Sequence, residues 1–208
     1  MPFHVMSIES TVPDFASTLR GSDGAALFPR IWAIGNLAIL EKRLLGFFCS
    51  TKCPGEIILH TYDLVRTLRD AGVTVISGFH SPMEKECLAL LLRGAQPVIV
   101  CPSRSIERMR IPIAWKLPLE ENRLLILSPF AVKQRRATAE LSEKRNAFVT
   151  ALTDKVFVAH AAPGSKTEQF CRELLQRGKS LLTLESSENT GLLALGAKPL
   201  RLERLNML

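Results

Sequence analysis

Four short segments of this 208-residue chain offer hydroxyl, amide or cationic groups of the kinds that phosphate recognition uses. Ser50-Thr51-Lys52 stands between an apolar run and a helix-like run, offering two hydroxyls, an ammonium group and the N-terminus of a helix. Gly164-Ser165-Lys166-Thr167 repeats the arrangement later in the chain. Ser77-Gly78 places a glycine directly after a second apolar run, where the backbone can approach a ligand closely. Arg145-Asn146 adds a guanidinium fork suited to phosphate oxygens and an amide suited to a base edge. Plainer readings exist for the same residues. Ser50 or Thr51 would serve as an N-cap with Lys52 solvated, Ser165 with Glu168 would form a capping box, and Arg145 would belong to a solvated charge run. Neither a Walker A sequence nor a GxGxxG fingerprint is present. His80 is a lone loop histidine, more often exposed than catalytic. No catalytic residue is assigned. Cys49 and Cys53 beside His80 lack the second ligand pair of a metal centre, so neither a metal nor a cofactor is expected.

These residues need a scaffold, and the hydrophobic pattern supplies one. Apolar strand-like runs fall at 44–49, 73–77, 96–101, 123–128, 155–159 and 180–184. Between them, Ile57, Ile58, Leu64, Val65 and Leu68 recur at helical spacing, as do Met83, Cys87, Leu88, Leu91 and Leu92. Ala71-Gly72 and Gly94 end those two helices, and Pro54 and Pro82 suit their first turns. Further helices are expected through Phe148, Val149 and Leu152 and over 166–176. Strands that are apolar throughout and alternate with helices predict an α/β fold, an open, mostly parallel sheet with helices on both faces. In such sheets, ligands sit beyond the C-terminal ends of the strands, where all the candidate segments fall. Upstream, Pro29 starts an extended stretch that Gly35-Asn36 turns before Leu37 to Leu40. The segment 103–123, with Pro112, Pro118 and several arginines, reads as a loop with a short strand or turn around 113–115. A short helix is expected around 15–19 at most.

Composition narrows the class. The chain is 47% apolar and 23% charged, which is globular, and its formal net charge of +7 favours an anionic partner. Lys133, Arg135, Arg136, Lys144 and Arg145 against Glu140 and Glu143 concentrate positive charge ahead of one helix. No apolar run is long enough to cross a bilayer, and the N-terminus is not a secretory signal. Five scattered cysteines point to free thiols and a cytoplasmic setting.

Taken in order, FPRIWAIGN, a strand ending in Ser50-Thr51-Lys52, AGVTVISGF, LRGAQPVIVCP, EKRNAFVTALTDKVFVAHA and GS-x-T resemble the DNA-processing protein A (DprA/Smf) family of the Rossmann-like SLOG superfamily. The family's matching order is a Trp/Tyr-x-x-Gly-Asn lead-in, a Gly-Ser-Arg loop, AGV-x-VVSG, a helix and a strand, RNRIIAGLS, and SGS-x-x-T. The resemblance covers residues 28–197, NTGLLALGAKPL included, and leaves residues 1–27 as an N-terminal extension to a domain over 28–208. It implies a Rossmann-like fold that binds single-stranded DNA in a positive pocket, forms a homodimer and helps load a recombinase during DNA uptake, without catalysis. Ser50 and Lys52 fall on the family's Ser-Arg, with Thr51 between them. Gly78 falls on the glycine of the second loop, Arg145 and Asn146 on the Arg-Asn pair, and Gly164, Ser165 and Thr167 on the last loop. The second loop departs. Where the family continues Ala-Arg-Gly-Ile-Asp, this chain has His80-Ser81-Pro82-Met83-Glu84, and the pocket arginine has no counterpart. His160 replaces an acidic residue after the fifth predicted strand, and no winged-helix domain is expected to follow.

An alternative comes from the same superfamily. Pro163 to Glu168 resembles the Pro-Gly-Gly-x-Gly-Thr-x-x-Glu loop of the "lonely guy" phosphoribohydrolases, with two glycines lost and the glutamate directly after the threonine. That resemblance implies a nucleotide ligand, with hydrolysis of nucleoside monophosphates.

Overall fold

The computed structural model describes residues 3–9 and 28–201. The expected helix around 15–19 and most of the basic C-terminal tail lie outside them. Nine strands are described: β1 (Met6–Glu9), β2 (Arg30–Gly35), β3 (Leu44–Phe48), β4 (Thr74–Ser77), β5 (Val98–Val100), β6 (Leu124–Ser128), β7 (Lys155–Val158), β8 (Ser180–Thr183) and β9 (Lys198–Pro199). The helices are α1 (Gly55–Asp70), α2 (Pro82–Leu91), α3 (Ile113–Glu120), α4 (Ala139–Ala151), α5 (Lys166–Gln176) and α6 (Thr190–Leu195). The strand order is β1-β2-β6-β5-β4-β3-β7-β8-β9. Pairing is parallel for β5–β6, β3–β7, β7–β8 and β8–β9, and antiparallel for β1–β2 and β2–β6. The expected α/β fold with a mostly parallel, Rossmann-like sheet is the fold observed.

The chain divides into two compact units. The first draws on the described residues of Met1–Lys42, Ile76–Gly78 and Pro97–Leu152. Its centre is β5 and β6, every residue of which is buried, as continuous apolar strands of a parallel pair should be. Antiparallel β2 extends them, with Ala33 opposite Leu127 and Ile34 opposite Ile126. Gly35 then takes φ +110°, and a Cβ there would run into the carbonyl oxygen of Leu124. The turn expected at Gly35-Asn36 is therefore required sterically, and Asn36 caps the following 3-10 turn by accepting from the Ala38 amide (3.1 Å). In α4, Thr138 is the N-cap, accepting from the Leu141 amide (3.1 Å). The helix buries Leu141, Arg145, Phe148 and Val149, and the Phe148 ring meets Phe28 edge-on at 5.1 Å.

One expectation in this unit is corrected. Residues 113–120 are a helix, not a loop with a short strand or turn. Pro112 occupies the N-cap, where no intrahelical amide is needed, and Pro118 removes one donor late in a short helix. The prolines that argued against a helix sit where a helix tolerates them. Ile113 and Leu117 on α3 are exposed.

The second unit draws on the described residues of Arg43–Val75, Phe79–Gln96 and Thr153–Leu208. Here β3 pairs with β7 in parallel, placing Phe47 opposite Phe157 with their rings stacked at 5.8 Å, both fully buried. Truncating either ring would cost about 3–5 kcal/mol. Helix α1 buries Ile57, Thr61, Leu64, Val65 and Leu68. It ends at Ala71, after which Gly72 takes φ +76°, as the Ala-Gly signal predicts. Helix α5 spans the 166–176 expected from sequence.

Candidate nucleic-acid interface

In the second unit the end of β3 and the loop before α5 are tied together by Ser50. Its hydroxyl accepts from the Ala162 amide (3.1 Å) and lies 3.4 Å from Ser165 Oγ, while its amide donates to the His160 carbonyl (2.9 Å). Ser50 is buried and does not cap α1. The N-cap of α1 is Pro54, with no side-chain cap bond. Thr51 and Lys52 are exposed beside it, so the loop presents a hydroxyl and an ammonium outward from a fixed base. Two residues expected to share a ligand, Ser50 and Ser165, are thus adjacent.

The capping-box reading of Ser165 holds in altered form. Ser165 Oγ accepts from the Glu168 amide (3.2 Å), but the Glu168 carboxylate reaches past the cap to accept from the Gly164 amide (2.9 Å). Gly164 takes φ +70°. Thr167 is half-buried in the first turn of α5. At the start of α5 the Glu168 amide is met by the Ser165 hydroxyl, and the Gly164 amide, just ahead of the helix, by the Glu168 carboxylate. Behind this loop, buried His160 has Nδ1 3.0 Å from Asn189 Oδ1, and Asn189 Nδ2 donates to the carbonyls of Ala159 (2.9 Å) and Leu184 (3.2 Å). His160 thus faces the neutral side-chain amide of Asn189.

The first unit holds the other pair. Arg145 is buried, and its guanidinium lies over Gly78 so closely that a Cβ on Gly78 would fall on it. Nη1 donates to the Cys101 carbonyl (3.4 Å), and the Cys101 amide donates to the Ser77 carbonyl (2.8 Å). The guanidinium therefore sits at the C-terminal end of the buried strands, where an α/β sheet places its ligand-facing groups. Gly78 and Arg145, read from sequence as separate candidates, form one arrangement. The helix carrying Arg145 begins at Ala139, earlier than the apolar pattern suggests, so the pair sits where its second turn passes into its third and not at its N-terminus. Among the described residues, Asn146 Oδ1 is buried with no hydrogen-bond donor.

Sequence reasoning passed over Glu84. Its carboxylate is buried and accepts three backbone amides, from Cys49 (3.0 Å), His80 (2.8 Å) and Ser81 (2.8 Å). Ser81 is the N-cap of α2, accepting from the Glu84 amide (3.2 Å), so the two residues form a capping box. Ser81-x-x-Glu84 ahead of an apolar run is the sequence signature of that box, and the signal was available.

The cysteines divide by environment. Burial pushes the Cys101 and Cys171 thiols up to about 12. A hydrogen bond with Cys53, then burial, raises Cys49, and the same hydrogen bond lowers half-buried Cys53. Among the described residues, no three His, Cys, Asp or Glu side chains group as metal ligands would. No described helix is long and apolar enough to cross a membrane.

Residues 8–197 match the model of the family described as DNA recombination-mediator protein A. The chain belongs to that family. Two solved DNA processing protein A structures share its fold. That from Streptococcus pneumoniae gives a TM-score of 0.75 at 18% identity over 95% of this chain and 71% of that one. That from Helicobacter pylori, described for its single-stranded DNA binding mode, gives 0.75 at 20% identity over 99% and 95%. A molybdenum cofactor carrier protein from Chlamydomonas reinhardtii is similar at 0.53, with 12% identity over 80% of this chain and 100% of that one. Identities this low speak to fold alone. No curated protein matches this chain in sequence. The DNA recombination-mediator family and its fold, expected from six sequence fragments, are thereby both found.

Proposed function

We propose that this chain binds single-stranded DNA without catalysing a reaction on it, receiving backbone phosphates on basic side chains at the C-terminal ends of its strands. The observation that carries the reading is the family match over residues 8–197. Three features support it. Lys52 stands exposed on a loop whose base is pinned by Ser50. Arg145 holds its guanidinium at a strand end over Gly78. Asn146, beside Arg145 on α4, adds a side-chain amide of the kind that reads base edges. Arginine and lysine on phosphates, with hydroxyls from Ser50, Thr51, Ser165 and Thr167 nearby in the same loops, need no reactive group. Homodimer formation and the loading of a recombinase extend the same proposal.

The nucleotide-hydrolase alternative asks for a carboxylate free to stabilise positive charge developing on the ribose, with an arginine on the phosphate. Glu168, the glutamate of the loop that resembles those enzymes, has its carboxylate engaged by the Gly164 amide, which speaks for the DNA reading. Fluorescence anisotropy with a labelled single-stranded oligonucleotide tests the proposal. Binding at low salt is expected, and Lys52→Ala and Arg145→Lys should each weaken it about tenfold, the scale of one charge-assisted hydrogen bond. No binding at low salt, or wild-type affinity in both variants, overturns it.

A further inference from the structure

Glu84 does more than cap a helix. Its two carboxylate oxygens hold amides from two different loops of the second unit. Oε1 takes the Cys49 amide at the end of β3, and Oε2 takes the His80 and Ser81 amides of the loop that follows β4. Cys49 immediately precedes Ser50, whose own amide and hydroxyl fix the first candidate loop. One buried carboxylate therefore sets the spacing between the first loop and the second.

The backbone beside it is strained. Phe79, directly before His80, takes φ +47°, a left-handed conformation that a bulky residue adopts only where its surroundings impose it. Two things impose it. The Phe79 ring is buried, 6.3 Å from Phe47, and the next two amides point at Glu84. Hydrogen bonds from amides to a carboxylate are charge-assisted and among the stronger kinds, so three of them can hold a strained residue in place.

This has a consequence for ligand recognition. Converging backbone amides at a strand-to-helix turn are the ordinary receptacle for a phosphate. Here that receptacle is filled by the chain's own anion, buried and satisfied on both oxygens. We propose that Glu84 is a positioning residue for the DNA-binding surface. It locks the first and second loops in register and occupies the amide cluster ahead of α2, so that nucleic-acid phosphates are taken by side-chain cations and not by that cluster. The proposal rests on the single-stranded DNA reading for its ligand, while the locking itself can be tested without DNA.

The experiment is amide-resolved hydrogen exchange on the full chain, joined to DNA titration. In the wild type, the amides of Cys49, His80 and Ser81 should exchange at the slow rates of the neighbouring strands, and adding inorganic phosphate should not shift their resonances. Exchange at exposed-loop rates, or phosphate-induced shifts at His80 and Ser81, overturns the proposal whatever any variant does. Glu84→Gln keeps the shape but sets an amide donor against a backbone donor. It should speed exchange at Cys49, or at His80 and Ser81, by about tenfold while leaving the amides of α5 and β8 unchanged. It should weaken single-stranded DNA binding by a similar factor. Leu174→Ala, a buried truncation elsewhere in the second unit, supplies a variant destabilised by packing alone and should bind DNA within about twofold of wild type. Equal DNA loss in Glu84→Gln and Leu174→Ala would mean that Glu84 contributes only general stability, and overturns the positioning role. Failure of the wild type to bind DNA overturns the functional reading instead, and leaves the exchange result to decide the locking.

Discussion

The contact between Gly78 and Arg145 is the clearest case of one residue's identity being dictated by another. Any side chain at Gly78 would compete for the space of the Arg145 guanidinium. The far end of an arginine is mobile compared with backbone, so Gly78→Ala should be accommodated by moving the guanidinium, at the expense of its bond to the Cys101 carbonyl. The expected loss of folding stability is about 1–2 kcal/mol, the scale of one disturbed charged hydrogen bond, read by urea denaturation. DNA affinity in Gly78→Ala should fall as far as in Arg145→Lys, because both variants take the guanidinium from the same place. Wild-type affinity in Gly78→Ala would show that the position of this guanidinium is not what DNA reads. From sequence, a glycine after a strand and an arginine far along the chain were separate suggestions. Their meeting depends on which strand ends lie side by side, and no local pattern in the sequence carries that information.

At the scale of elements, the parts legible in the sequence were those whose signals are local and strong. Helix α5 and the strands from β3 to β8 follow from apolar periodicity with glycine and proline punctuation. Helix α3 was missed because proline is read as a breaker wherever it stands, although at an N-cap it costs a helix nothing. The start of α4 was missed for a different reason. Its first turns, Ala139 to Lys144, are largely polar and exposed, and what begins the helix is the Thr138 hydroxyl. The pinning of the first loop by Ser50 was likewise out of reach, since its acceptor role depends on Ala162, remote in sequence. Gly35 marks the opposite case, where a turn signal and its steric cause agree. With φ +110° and the Leu124 carbonyl in the path of a Cβ, backbone meets backbone and neither can swing aside. Gly35→Ala should therefore destabilise the chain by at least about 2 kcal/mol, in contrast to a clash with a flexible side chain. A lowered urea midpoint at unchanged slope would show this. A midpoint within error of wild type would mean that β2 and β6 can separate locally without cost.

Over the whole molecule, the formal net charge of +7 acts differently from the few cations that would touch DNA. Diffuse charge raises the rate at which a polyanion is found, and that rate falls with ionic strength. Contact cations displace counterions from the strand, so the logarithm of the affinity falls linearly with the logarithm of salt, by about 0.7 per phosphate neutralised on single strands. The two classes of site residue can be separated on that line. Lys52 is exposed and charged, so Lys52→Ala should flatten the slope by about 0.7 while leaving folding unchanged. Thr51 is exposed but neutral, and it releases no counterion. Thr51→Ala should lower affinity by a similar factor at every salt concentration and leave the slope as it was. Anisotropy titrations of wild type and both variants, from low to physiological salt, give all three slopes. If Lys52→Ala shifts the line without changing its slope, the ammonium group does not meet a phosphate, and the first loop contributes shape alone. If Thr51→Ala flattens it, the variant has moved a cation, and Lys52 beside it is the one to have moved.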